Sequence, residues 1–303
     1  MRKDLSNKNI SIGLTAFLDI LGFGERVLNS RKISDIDAIA RDIRKIQAEF
    51  DYKPKDALTR EGHENYKKSV LAFSDSVIVN IPFQSDMTEL EGTFDPLMSE
   101  LHAMALAQGR CVTTGLFLRG GVDLGWWYRR GATLVSQSMV RAYKTEGLVN
   151  VPVIALTDEL YKYFSKHSHR NYYSEDNDPV HALLRQYSVQ GEAGEVTFWY
   201  LDYIKIYAES IDWITSRAQH QSYIYAAPDE KQAIMDDGYK TNLTNWFSLH
   251  ARVIEEAYEQ AKNERVKNKY AWLAAYHNDV AVEFTAMPIC LCKVNAANPV
   301  DNG

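Results

Sequence analysis

Apolar residues run almost unbroken from Ile10 to Phe23, the pattern of a strand buried on both faces, and Gly22 and Gly24 then interrupt it. Ile33, Ile36, Ile39, Ile43, Ile46 and Phe50 follow at steps of three and four, which predicts an amphipathic helix. The polar stretch from Asp51 to Glu64 contains Pro54 and Gly62 and reads as a loop or irregular insertion. Ser69 to Pro82 is a second largely apolar run, turning at Ser74-Asp75-Ser76, the outline of a β-hairpin. Asp95 followed by Pro96 is a helix start, and Leu97, Leu101, Met104 and Ala105 supply one apolar face. Gly115 to Trp127 reads as a strand interrupted by glycines, and Leu134 to Glu146 as a helix. Val151 to Leu156 is a further strand, leading into a short helix from Asp158.

The order β-α-loop-β-β-α-β-α-β contains split βαβ units. It predicts an α+β fold, a ferredoxin-like and mainly antiparallel sheet covered by helices. Beyond about residue 157 the character changes. His167 to Asp178 is polar and aromatic, Val196 to Tyr203 is one more strand, and residues 229–275 are rich in helix formers. With no internal repeat and no low-complexity linker, we expect a core over residues 1–160. Residues 161–303 would form a strand and helical extension packed on the same body.

Each of the two earliest apolar runs carries one acid near its centre, Asp19 in the first and Asp75 in the second. A carboxylate inside such a run is costly to desolvate unless something positive compensates it. Asp19 stands just before Gly22-Phe23-Gly24, a strand-to-helix turn whose backbone N–H groups and helix terminus suit a phosphate. If the hairpin lies beside that strand, the two carboxylates, the Ile20 carbonyl and nucleotide phosphates make an oxygen-rich site suited to Mg²⁺ or Mn²⁺.

Composition narrows the partners. The 303 residues carry a formal charge of −6, with 46% hydrophobic and 24% charged residues, so no polyanion-wrapping surface is expected and a nucleic acid duplex is an unlikely partner. Arg129-Arg130 after Trp126-Trp127 is too short a basic cluster to change this. Three cysteines, Cys111, Cys290 and Cys292, lack framework spacing and read as plain thiols in a reducing compartment. The first nine residues lack a signal peptide's apolar core, and no apolar run approaches the ~20 residues of a membrane helix. A cytoplasmic location with no membrane partner is expected. P-loop, His-Glu-x-x-His and Gly-x-Ser-x-Gly motifs are absent.

Phe17-Leu-Asp-Ile-Leu-Gly-Phe23 resembles the first motif of the class III nucleotidyl cyclases, Phe-x-Asp-Ile-x-Gly-Phe, at every defined position. Their second metal acid follows in a β-hairpin, usually as Gly-Asp, and stands here as Ser74-Asp75. The resemblance covers about residues 11–160 and implies the cyclase catalytic fold. It also implies two Mn²⁺ or Mg²⁺ ions per site on Asp19 and Asp75, assisted by the Ile20 carbonyl, and phosphate binding at Ile20, Leu21, Gly22, Phe23 and Gly24. Within that family the chain looks closest to the pyrimidine cyclases of bacterial anti-phage signalling, the Pycsar type. The phrases that carry this are Leu118-Arg-Gly-Gly121, Ala142-Tyr143-Lys144-Thr145-Glu146, Val151-Pro152 with its strand, and Tyr270-Ala-Trp-Leu-Ala-Ala-Tyr-His-Asn278.

The departures shape what is implied. The family's late-helix Asn-x-x-x-Arg is matched in spacing by Gln137 and Arg141, which share one helical face, though the register could shift by two residues. Ser69 stands where the adenine-reading lysine is expected, with Lys68 beside it, which weakens a purine reading. Tyr52 is a candidate wall for a narrow base pocket, and Arg119 is either a phosphate ligand or a partner of a neighbouring acid. By resemblance the metals sit on one subunit and the late-helix residues come from the other, so a homodimer with two shared sites is implied. The implied activity is that of a lyase, cyclising UTP, with CTP next, to cUMP or cCMP as an antiviral second messenger. An adenylyl or guanylyl cyclase, a degenerate nucleotide-binding signalling dimer and a polymerase-like palm remain as alternatives.

Overall fold

In the computed structural model, which describes residues 9–51, 67–131, 133–191 and 194–294, the first apolar run becomes strand β1 (Ile10–Ile20) inside an eight-stranded sheet. Its even positions Leu14, Ala16 and Leu18 are fully buried, so from Leu14 onward one strand face is core, whereas Ile12 near its start is exposed. Truncating one of them, such as Leu18→Ala, is worth about 2–5 kcal/mol. The hairpin closes as expected: β2 (Ser69–Phe73) and β3 (Ser76–Pro82) pair across the two-residue turn Ser74-Asp75. β1 lies between β3 and β4 (Leu118–Arg130), antiparallel to both.

The remaining strands are β5 (Thr133–Ser136), β6 (Ile154–Leu156), β7 (Leu184–Gly191) and β8 (Gly194–Leu201). The order across the sheet is β2-β3-β1-β4-β6-β8-β7, with β5 paired to β4. Among the described residues only β4 and β6 run parallel. The fold is thus α+β, a mostly antiparallel sheet covered by helices.

Helices α1 (Phe23–Asn29) and α2 (Ile33–Phe50) follow β1, and α3 (Asp86–Glu91) and α4 (Phe94–Val112) follow β3. α2 buries Ile39, Ile46 and Phe50 from the predicted apolar face and packs on β2 and β3. The expected helix from Leu134 begins three residues later, as α5 (Gln137–Val149). Leu134 and Val135 instead extend the β4–β5 hairpin, and Ser136 caps the helix by accepting the Met139 N–H at 3.0 Å. α6 (Asp158–Ser165) and α7 (Pro179–Leu183) follow β6.

Two compact units are present. Among the described residues, the first comprises those within 9–111 and 116–202, the second those within 112–115 and 203–294. The first therefore runs past the boundary expected at residue 160, because β7 and β8 join the same sheet beside β6.

The second unit is helical among its described residues: α8 (Tyr203–Glu209), α9 (Arg217–Tyr225), α10 (Pro228–Gln260) and α11 (Glu264–Phe284). Its core holds one directed hydrogen-bond chain. The Cys290 carbonyl can only accept, so His277 Nε2 donates to it at 2.8 Å. His277 Nδ1 then accepts from His250 Nδ1–H at 2.9 Å, and His250 Nε2 accepts from the Tyr203 hydroxyl at 3.0 Å. Burial pushes both imidazoles down, His277 to about 4, which keeps the pair neutral. Among the described residues no helix is long and apolar enough to cross a membrane.

Candidate active site

The odd-numbered face of β1 carries the polar chemistry. Register sets Asp19 opposite Ser76 on β3 and opposite Arg119 on β4, and sets Thr15 opposite Asn80 and Asp123. Asp75, one residue before Ser76, comes within hydrogen-bonding reach of Asp19. The predicted pair of acids is brought together. Ser74 holds φ at 54°, the left-handed region that glycine would take without strain, so the hairpin keeps its shape with serine in the glycine's place.

Burial pushes the Asp19 carboxyl above its ordinary value. Arg119 opposes that rise without reversing it, and nearby Asp75 adds to it. Arg119 donates to Asp19 Oδ2 from Nε at 2.9 Å and from Nη2 at 2.8 Å, and also contacts Glu146 Oε1 at 2.5 Å. Arg119 thus lies between two carboxylates, Asp19 and Glu146, and Asp19 has Asp75 as a further acidic neighbour.

Helix α5 lies along this same face. Ala142 sits so close over Gly121 that a Cβ there would come within 2.1 Å of the Ala142 carbonyl oxygen, which explains a glycine at that position. Ser138 donates to Thr15 at 2.7 Å, and Tyr143 meets Phe17 edge-on at 5.3 Å between ring centres. The helix reaches Arg119 through Glu146 at one end and Asp123 through Arg141 at the other. Arg141 donates from Nε to Asp123 Oδ2 and from Nη2 to the Leu124 carbonyl, both at 2.6 Å. Asp123 is fully buried, and its second oxygen accepts from Thr157 at 2.5 Å.

Arg141 is therefore held on the row of Thr15, four residues from Asp19 along β1, or roughly 13 Å. One chain does not bring Arg141 to the acid pair. Gln137 opens α5 and is exposed. Gly22 has φ 78° and provides no side-chain cap for α1, so the N–H groups of Phe23, Gly24 and Glu25 have no partner within that helix. A Cβ built at Gly22 or Gly24 meets nothing within 4 Å, so the turn is open. Leu21 differs from the expectation: its N–H is taken by the Phe117 carbonyl at 2.9 Å and does not face a phosphate. Lys68 is also occupied, paired with Glu100 at 2.9 Å, and both side chains are largely buried. Tyr52 lies outside the described residues.

The donor set fits a hard divalent cation. Among the described residues no three His, Cys, Asp or Glu side chains converge to hold a metal. Asp19 and Asp75 would supply two carboxylates, and the rest of the shell would come from the Ile20 carbonyl, water and substrate phosphates, as Mg²⁺ commonly takes. The three cysteines are buried thiols outside any disulfide, and burial pushes Cys111 up to about 12 and Cys292 up to about 11.

Sequence reasoning missed Asp123 and assigned no role to Glu146. Asp123 carries the same signal as Asp19, an acid in an apolar run, but glycines on both sides dilute it. Glu146 and Arg119 are 27 positions apart, and only the packing of α5 on β4 joins them.

No protein-family model matches the chain, and no curated protein matches it. Among solved structures it is similar to a bacterial light-regulated adenylyl cyclase, at 10% identity and a TM-score of 0.36, over 64% of this chain and 91% of that one. It is also similar to the catalytic core of a rhodopsin-guanylyl cyclase with converted specificity in complex with ATPαS, at 14% identity and a TM-score of 0.38, over 63% of this chain and 96% of that one.

Proposed function

We propose that the chain is a divalent-metal-dependent nucleotidyl cyclase. It acts on a pyrimidine nucleoside triphosphate, UTP ahead of CTP, and releases the 3′,5′-cyclic monophosphate and pyrophosphate as a second messenger in anti-phage defence. The observation that carries this reading is the meeting of Asp19 and Asp75, within the Phe17-to-Phe23 phrase, beside an open glycine turn. The choice of base rests on the Pycsar-type phrases, with support from Ser69 at the adenine-reading position and from Lys68 being tied to Glu100.

In the reaction the ribose 3′-oxygen attacks the α-phosphorus, the bond to the bridging β-oxygen breaks and the hydroxyl proton passes to solvent. Asp19 and Asp75 would hold the divalent cations, which when bound would supply positive charge for the attacking hydroxyl and the departing pyrophosphate. The N–H groups at Phe23 and Gly24 and the Arg119 guanidinium bind phosphate oxygens. Arg141 acts from a second copy of the chain, because its own Asp123 holds it roughly 13 Å from the acids. Asp123 and the Leu124 carbonyl immobilise one edge of that guanidinium, so it meets the developing phosphoryl charge already oriented. Gln137, one turn earlier on the same face, orients the ribose.

Incubating purified protein with Mn²⁺ and each of the four nucleoside triphosphates tests the reading. Cyclic UMP as the main product, with less cyclic CMP, is expected. A preference for ATP or GTP would overturn the base assignment, and no cyclic product from any of the four would overturn the enzyme.

A further inference from the structure

Arg119 sits between two carboxylates that compete for the same edge of its guanidinium. Nε carries a single hydrogen, and that hydrogen is directed at Asp19 Oδ2. Glu146 Oε1 lies 2.5 Å from the same nitrogen, off the line of that hydrogen. Glu146 is almost wholly buried and rides on a helix fixed against the sheet by Ala142 over Gly121 and Ser138 on Thr15. Asp19 is fixed in β1. Of the three groups the arginine side chain is the one that can turn, and a small rotation moves its N–H edge from one acid to the other.

We propose that Glu146 is a positioning residue for the acid site. Arg119 stands in for a divalent cation on Asp19, and Glu146 accepts the guanidinium when Asp19 engages a metal. The handover frees Asp19 without leaving a half-buried arginine unpaired, and it leaves the outer edge of Arg119 to a triphosphate. The inference rests on reading Asp19 and Asp75 as the metal-holding pair. A purely structural Arg119–Glu146 bridge would hold the helix to the sheet and have no bearing on cation affinity beyond its charge.

The test is Mn²⁺ binding by the nucleotide-free full chain, followed by electron paramagnetic resonance of the free ion. Arg119→Met keeps the packing and removes the competitor, so Mn²⁺ binding tightens by about tenfold, the scale of one adjacent charge. Glu146→Gln leaves Arg119 on Asp19 and weakens binding by about tenfold. In the Arg119→Met background the same Glu146→Gln change has an effect of less than about twofold, because there is nothing to hand over. Near-ultraviolet circular dichroism confirms that each variant is folded, and Glu146→Asp replaces Glu146→Gln if the latter is not.

Equal weakening by Glu146→Gln with and without Arg119 would overturn the handover and leave Glu146 as a simple negative charge. Unchanged or weaker binding in Arg119→Met would overturn it as well. An Asp75→Asn chain that binds Mn²⁺ as the parent does would overturn the metal pair itself. A failure of the handover alone leaves the Asp75→Asn loss intact.

Discussion

Helix α5 covers an arginine–carboxylate pair at each of its two ends, and the two pairs are in opposite electrostatic states. At the Arg141 end there is one acid, Asp123, and both of its oxygens are used, one by the guanidinium and one by Thr157. It is fully buried, while the Arg141 side chain keeps 37% of its surface. At the Arg119 end two acids share one guanidinium, Asp75 adjoins one of them, and Asp19 is held above its ordinary proton affinity by burial. A balanced pair fixes an arginine as a tool for use elsewhere. An unbalanced group is a site that needs positive charge from outside. The same sheet face therefore carries a finished half and an unfinished half, and the reading of a shared site follows from that asymmetry.

The largest effect should come from the unfinished end. Asp19→Asn or Asp75→Asn is expected to cut the proposed cyclase turnover by about 10³-fold or more, since on that reading each would remove a ligand of the divalent cation. Product formation at saturating Mn²⁺ measures it, and an Asp75→Asn enzyme with full turnover would break the comparison at its root. Arg141→Ala should lower kcat by about 10²–10³-fold, the scale of one lost oxyanion partner, while Mn²⁺ binding stays as in the parent. Parallel loss of metal binding would show that the two ends are not separate.

Stability separates the ends further. Asp123→Ala strips the partner from Arg141 and should cost about 2 kcal/mol in urea unfolding, less than a fully buried pair because Arg141 keeps a solvent edge. The sign reverses at Asp19. Its folded-state proton affinity is raised, so it stabilises the metal-free chain below the ordinary carboxylate value of 3.8, and that stability is lost as pH rises through the folded-state value. In metal-free buffer Asp19→Asn should therefore have a flatter dependence of Tm on pH over this range and a Tm at pH 7 no lower than the parent's. A steeper profile would contradict the account. The smallest effect belongs to the hairpin: Ser74→Gly relieves a left-handed serine and should stabilise by up to about 1 kcal/mol, read as a small rise in Tm.

Much of this architecture is legible in the residues. The isoleucine spacing of α2 marks both of its ends because one buried face repeats without interruption, and the acid-bearing runs become β1 and the β2–β3 hairpin because nothing else accommodates them. Asp19 and Asp75 are legible as a pair, since adjacent strands carry them to one place. β7 is not, because an edge strand with Arg185, Gln186 and Ser188 lacks an apolar signal. Leu134 and Val135 suit strand as well as helix, and the Ser136 cap decides between them. The roles of Asp123 and Glu146 depend on the closeness of α5 to β4 at Gly121, a through-space fact that no spacing along the chain reports.

The central claim is that each site takes its acids from one chain and its Arg141 from another. Mixing Asp75→Asn with Arg141→Ala protein, each inactive alone, tests it directly. Random exchange makes about half of the dimers mixed, each with one of its two sites intact, so recovery of about a quarter of parental turnover is predicted. A mixture no more active than its components would contradict it.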